Sequence, residues 1–141
     1  MQPSSKLRQR IRELCRRKGG DAIPVENSVN VGLPDLLLLY QGTQIWVELK
    51  CGNDRLSRPQ AARCCQLKAW VLYYKRNTYT LAKVKTKGGF MNTFVETVYN
   101  SESLDETLDF LFSGVNHDKI YQGVDDPGAG ASSESGDVSI D

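Results

Sequence analysis

Two short apolar runs, residues 36–40 and 43–50, sit on either side of Gln41-Gly42, and their alternation leaves neither side of the resulting ribbon polar. Apolar, β-branched and aromatic residues bounded by a glycine turn read as a hairpin, with Gly42 supplying a positive φ. Strand alternation places Asp35, Leu37, Leu39, Trp46, Glu48 and Lys50 on one face and Leu36, Leu38, Tyr40, Ile45, Val47 and Leu49 on the other. A sheet that is apolar on both sides needs cover on both sides. The expectation is an α/β fold, a central mixed β-sheet flanked by helices on both faces.

The flanking sequence supplies such elements. Leu7, Ile11, Leu14 and Cys15 recur at three- and four-residue spacing and predict an amphipathic helix over 5–18, stopped by Gly19-Gly20. Its bases Arg10, Arg12, Arg16 and Arg17 fall mostly off the apolar stripe, where they serve phosphate contact or solubility equally well. Residues 22–27 contain Pro24 and read as a sheet-edge strand. Ser57 with Pro59-Gln60 reads as the start of a helix over 58–70. Strands are expected over 71–74, 79–84 and 94–99, and a short acidic helix over 103–112. From Gly123 onward large apolar residues almost vanish, which predicts a disordered acidic tail. The expected organisation is one domain over 1–122, with a core over 5–85 and a C-terminal strand and helix over 90–113.

Composition narrows the function classes. A chain of 141 residues suits one hydrophobic core. Its longest apolar run is too short to cross a bilayer, and no apolar h-region follows the basic start, so the expected location is the cytoplasm, without membrane attachment. Cysteines 15, 51, 64 and 65 form no C-x-x-C pair, and His117 is the only histidine. That inventory disfavours zinc sites, disulfide scaffolds and Cys–His nucleophiles, leaving carboxylates, lysine or a metal to do any chemistry. Charge is divided along the chain. Residues 1–88 carry 17 Lys and Arg against 6 Asp and Glu, a net of +11, whereas residues 89–141 carry 1 against 11, a net of −10. The front part has the charge of a polyanion-binding domain.

A two-residue loop at Gln41-Gly42 makes paired residue numbers sum to 83, so Asp35 faces Glu48 directly. Opposed side chains have Cβ atoms about 4.5–5.5 Å apart, and two carboxylates at that spacing repel. A magnesium ion, which takes oxygen ligands from one or two carboxylates plus water and substrate phosphate, relieves the repulsion. Lys50 returns to the same face, where an ammonium orients or deprotonates a water or stabilises charge on a phosphorane-like transition state. The implied substrate is a phosphodiester. The competing structural explanation is a strand-end Asp35 beside an ordinary Glu48–Lys50 ion pair. Arg55, Arg58 and Arg63 follow the motif and are candidate phosphate contacts, with solvated arginines as the alternative. Trp46, Trp70, Tyr73 and Tyr74 are either base-stacking platforms or core.

The arrangement Pro34-Asp35 followed by Glu48-Leu49-Lys50 resembles the PD-(D/E)xK nuclease superfamily. With Gly32-Leu33-Pro34-Asp35 ahead of it and Leu56-Ser57-Arg58-Pro59-Gln60 after it, it is similar to the VRR-Nuc family, in particular its small stand-alone phage members. The resemblance covers roughly residues 6–84. It implies a restriction-endonuclease-like core, dependence on Mg2+ or Mn2+, and DNA cleavage leaving 5′-phosphates. In that pattern Asp35, Glu48 and the Leu49 carbonyl ligate the metal, Lys50 attends the water and Gln60 orients the site. Stand-alone members are typically homodimers acting on branched DNA such as Holliday junctions. Many relatives carry a further acid on the first helix; Glu13, the only candidate there, lies off the apolar stripe. Glu26, in Val25-Glu26-Asn27, resembles a Glu-Asn pair of the phage members and is an alternative third ligand. Two readings compete with the nuclease: a non-catalytic nucleic-acid-binding module, and an acidic segment over 89–141 that folds over the basic part as an intramolecular DNA mimic or recruits a partner.

Overall fold

The structure, a computed structural model, describes residues 3–26, 32–88 and 92–124. It is an α/β fold of three helices and one six-stranded mixed sheet, with the order α1 (Pro3–Arg17), β1 (Asp21–Pro24), β2 (Leu36–Tyr40), β3 (Thr43–Cys51), α2 (Arg58–Leu67), β4 (Trp70–Lys75), β5 (Thr78–Thr86), β6 (Thr93–Ser101) and α3 (Leu104–Val124). Spatial strand order follows chain order. Every neighbouring pair is antiparallel except β3 and β4, which are parallel and joined by α2 as the crossover.

The β2–β3 hairpin turns through Gln41 and Gly42 with φ of 50° and 79°. Two positive φ values in a two-residue loop make a type I′ turn, whose twist matches that of the strands it joins. Leu36 therefore pairs with Val47 and Tyr40 with Thr43, and the pair numbers sum to 83 as expected.

Alternation along the strands separates two hydrophobic clusters. Consecutive residues Val71 and Leu72 of β4 point to opposite sides. Leu72 joins Leu36, Leu38, Val47 and Leu49 with Ile11 and Leu14 of α1 and Leu108 and Leu111 of α3. Val71 joins Cys64 of α2 with Ala69 and Val84, and Trp46 and Tyr73 pack against them half-buried. The first cluster is tied further by Lys18, at the end of α1, which bridges Asp105 and Asp109 of α3, the latter at 2.7 Å.

Several element boundaries differ from the sequence expectation. α2 ends at Leu67 rather than near residue 70, because Lys68 takes the left-handed conformation (φ 55°) and Trp70 is drawn into β4 opposite Val47. β4, β5 and β6 each extend beyond the predicted strands, since pairing partners are present past the apolar stretch. α3 runs through to Val124 instead of stopping near 112, so Gly123, expected to open the tail, is its penultimate residue. Asn27 and residues 125–141, including most of the predicted tail, lie outside the described residues. The aromatic residues pack among themselves: Trp70 meets Phe110 edge-on at 6.1 Å and Tyr74 stacks on Tyr79 at 4.6 Å. No helix is long and apolar enough to cross a membrane among the described residues.

Candidate functional site

β2 stops at Leu36 while β3 continues to Cys51, so the last four residues of β3 outrun the ladder on that side. Asp35 stands at this step. Its backbone carbonyl accepts from the Val25 N–H at 2.8 Å, and its Oδ2 accepts from the Leu49 N–H at 2.9 Å. The side chain thus takes the hydrogen bond that a continued strand would have taken. An extended residue projects its N–H and C=O from the same strand edge, so the Leu49 carbonyl faces the same step.

The register carried one pair beyond Leu36–Val47 sets Asp35 opposite Glu48. Glu48 is 2% exposed, the most deeply buried charged residue described, and among the described residues its Oε1 has no hydrogen-bond partner. Its Oε2 lies 3.4 Å from Lys50 Nζ, itself only 11% exposed. Burial first, and then the Asp35 charge, push the Glu48 carboxyl up to about 7, against the opposing pull of Lys50. Asp35, Glu48 and Lys50 are therefore brought together, and the Asp35 charge bears on the Glu48 carboxyl.

Gln60 is held differently from its expected role. It is the third residue of α2, and its Oε1 accepts from the Ser57 N–H at 3.0 Å while its own N–H donates to Ser57 Oγ at 3.2 Å. This reciprocal capping box satisfies two orphan donors at the helix start, so the side-chain oxygen of Gln60 is engaged by its own helix.

Of the basic candidates, Arg55 and Arg58 are exposed beside the start of α2, and Arg63, half-buried, reaches Gln66 at 3.5 Å. Arg12 and Arg16 are separated from the carboxylates by the sheet, because α1 packs on the Leu36 face and Asp35 and Glu48 project to the other. Both pair with Asp21, at 3.6 and 3.3 Å. Glu26 is exposed, and Glu13 likewise, and neither joins the pair: among the described residues no group of three or more His, Cys, Asp or Glu could hold a metal. Pro24 pairs with Leu36, so two residues on, Glu26 shares the parity of the Leu36 face rather than that of Asp35.

Two residues that sequence reasoning gave no site role stand behind this constellation. Gly32, buried with φ +90°, lies so close to the start of α2 that a Cβ there would meet the Pro59 carbonyl oxygen at 2.7 Å. Only glycine lets the turn that carries Asp35 dock on that helix start. Cys64 of α2 is buried, and burial followed by the Glu48 and Asp35 charges pushes its thiol up to about 12, which makes it an inert floor rather than a nucleophile. The Gly-x-Pro-Asp spacing was the signal for the first; nothing local marked the second.

The donor set suits a hard divalent cation. Two opposed carboxylates, one with an orphaned buried oxygen, and a carbonyl at the same strand step match the few protein ligands that magnesium accepts while keeping water and phosphate. A scan against protein-family models finds none that matches this chain, and a search of curated proteins finds no match either.

Proposed function

We propose that this chain is a metal-dependent endodeoxyribonuclease that hydrolyses phosphodiesters in branched DNA. The observation that carries the reading is Glu48: a carboxylate buried against a second carboxylate, with one oxygen unpartnered among the described residues, is an arrangement that a bound divalent cation relieves. Asp35, Glu48 and the Leu49 carbonyl hold Mg2+, with Mn2+ as a substitute. When bound, the ion supplies Lewis-acid polarisation of a phosphate oxygen. Lys50 directs its ammonium at the attacking water and at charge growing on the phosphorus oxygens, and cleavage leaves a 5′-phosphate. Arg55, Arg58 and Arg63 hold backbone phosphates without reading sequence.

What supports a restriction-endonuclease-like core, with helices on both faces, is the placement of the site at the end of β3 where the chain leaves through α2 to a parallel β4. The carboxyl ends of strands beside a crossover are where open α/β sheets bind ligands. The basic half of the chain supports a polyanionic substrate. A domain with one site cuts one strand, so paired cuts in a junction require a twofold homodimer.

The competing reading is a non-catalytic nucleic-acid-binding module. It draws on the absence, among the described residues, of a third acidic ligand and on Gln60 being occupied by its cap. Both readings meet in one assay: Mg2+-dependent cleavage of a labelled four-way junction beside linear duplex and flap DNA, with wild type and Asp35→Ala. Cleavage that Asp35→Ala abolishes while binding persists establishes the nuclease and names its preferred structure. Binding by both proteins without cleavage in Mg2+ or Mn2+ hands the site to the binding module.

A further inference from the structure

Between Glu48 and Glu96 the sequence carries ten Lys and Arg and one acid, Asp54. Two of those bases, Lys75 and Arg76, sit where β4 turns into β5. Lys75 pairs with Thr78, so Arg76 and Asn77 make up the whole loop, with φ of 53° and 62°. This is a second type I′ turn, and asparagine suits its second position. Arginine suits the first poorly, because at positive φ an L side chain crowds its own backbone, a cost that glycine does not meet.

The rest of the turn is pinned. Tyr74 Oη donates to Asn77 Oδ1 at 3.2 Å, Thr78 Oγ1 donates to the Arg76 carbonyl at 3.4 Å, and Tyr74 stacks on Tyr79 at 4.6 Å. The Lys75 and Arg76 side chains are exposed and make no ion pair or hydrogen bond among the described residues. Gln41, at the same position of the β2–β3 turn, bonds Tyr40 at 3.2 Å instead. A pinned turn that strains to present an unpaired guanidinium is the kind of local cost kept at functional sites.

Register places this tip beside the carboxylates. Tyr73 lies opposite Lys50 in the parallel β3–β4 ladder. Lys75, two residues on, has the same parity and shares the face of Glu48 and Lys50. Val71 and Tyr73, of that parity too, pack with Cys64 of α2, which fixes the face independently. One strand across and two residues along puts the Cα atoms of Lys50 and Lys75 about 8 Å apart. At about 3.4 Å of axial rise per nucleotide, that is about two steps along one DNA strand.

We propose that Lys75 and Arg76, at the tip of the β4–β5 hairpin, clamp a neighbouring phosphate of the DNA strand whose scissile group meets Asp35, Glu48 and Lys50. The inference rests on the nuclease reading for what occupies the carboxylates. The contact sets which bond is presented and reads no base, and the pinned turn spares the ordering of a loop on binding.

Lys68 supplies a matched control. It is exposed just before β4, at the opposite end of that strand, and like Arg76 it is left-handed, with φ of 55°. Arg76→Gly and Lys68→Gly each remove one charge and relieve one positive φ. Binding of the full-length chain to a labelled four-way junction is read by fluorescence anisotropy across a salt series without divalent metal, so that nothing is cut. Arg76→Gly should weaken binding about fivefold and lower the slope of log affinity against log salt by about one, and adding Lys75→Gln should lower it by about one more. Arg76→Asn, which the turn also accepts, should behave like Arg76→Gly, and Lys68→Gly should stay within about twofold of wild type. The thermal midpoint of Arg76→Gly should match or exceed that of wild type, which separates the loss of binding from a loss of fold. In Mg2+ the Lys75/Arg76 double variant should spread its cuts over neighbouring bonds. Equal salt slopes in wild type and Arg76→Gly overturn the clamp. Equal losses in Arg76→Gly and Lys68→Gly overturn it too, by assigning the effect to net charge, as do cuts by the double variant that stay at the wild-type bond. The expected binding losses without cleavage by wild type in Mg2+ uphold the backbone contact and overturn the nuclease reading instead.

Discussion

Glu48 and Leu49 are neighbours on β3, and the two sides of the sheet they enter differ in kind. Leu49 enters a cluster of sixteen buried residues built from both terminal helices and alternate positions of the strands. Glu48 enters a face whose buried cluster has four members, Cys64, Ala69, Val71 and Val84, and shares it with Asp35 and Lys50. The larger cluster holds most of the buried apolar side chains among the described residues. The smaller one holds like charges together at a cost to the fold, which is how sites that bind charged ligands are commonly built. Stability and candidate chemistry are thus separated by the thickness of one strand.

The widest effect that would sharpen this contrast is catalytic. Glu48→Ala and Lys50→Ala should each lower Mg2+-dependent junction cleavage by about 10²–10³-fold, corresponding to about 3–4 kcal/mol of transition-state stabilisation, with urea melts that remain cooperative. An enzyme that cleaves normally without Glu48 would erase the distinction between the two faces.

Next in size is packing. Leu108, fully buried at 0% exposure between α3 and the sheet, should lose about 3 kcal/mol on truncation to alanine. Val71→Ala, on the α2 side and equally buried, should lose only about 1–2 kcal/mol, having fewer methyls to remove and a smaller cluster to disturb. Denaturant midpoints of the two variants at unchanged slope test the ranking.

The third prediction concerns pH. Glu48 has an ordinary value of 4.5 and is raised to about 7 in the fold. Between those values the folded chain holds a proton that the unfolded chain has released, so the stabilising protonated form is complete below 4.5 and is lost as pH rises through 7. Metal-free protein should therefore weaken over that window. Glu48→Gln should flatten the profile and raise stability near pH 8 by about 1–2 kcal/mol, while Mg2+ should restore the wild type and not the variant. Thermal melts across pH with and without Mg2+ read both effects.

Smallest is the effect at Gln60. Its capping bond predicts that Gln60→Ala costs about 0.5–1 kcal/mol, as does Ser57→Ala. If Gln60 acts only as a cap, the two variants should match in stability and in residual cleavage. A cleavage loss confined to Gln60→Ala would return it to the site.

The hairpin was fully legible, because a two-residue type I′ turn leaves one register and alternation then fixes which residues share a face. That alone carries Asp35, Glu48 and Lys50 to one place. The ends of elements were not legible where partners set them: Trp70 reads as helix by composition and is claimed for β4 by Val47. Gln60 was given a site role that its own helix start competes for, and Ser57 three residues earlier was the available clue. Arg12 and Arg16 show the same limit, since only the packing of α1 reveals that a sheet stands between them and the carboxylates.

By itself, the sequence determined the α/β class, the hairpin, its register and the facing of two carboxylates and a lysine, all of which follow from periods of 2 and 3.6 residues and one turn. Tertiary structure alone decided that Glu48 is buried with Oε1 unpartnered among the described residues, that Gly32 locks the Asp35 turn onto α2, and that Val95 and Val98 of β6 stay exposed. Burial, docking and uncovered surface are properties of elements from distant parts of the chain meeting, and no local period encodes them.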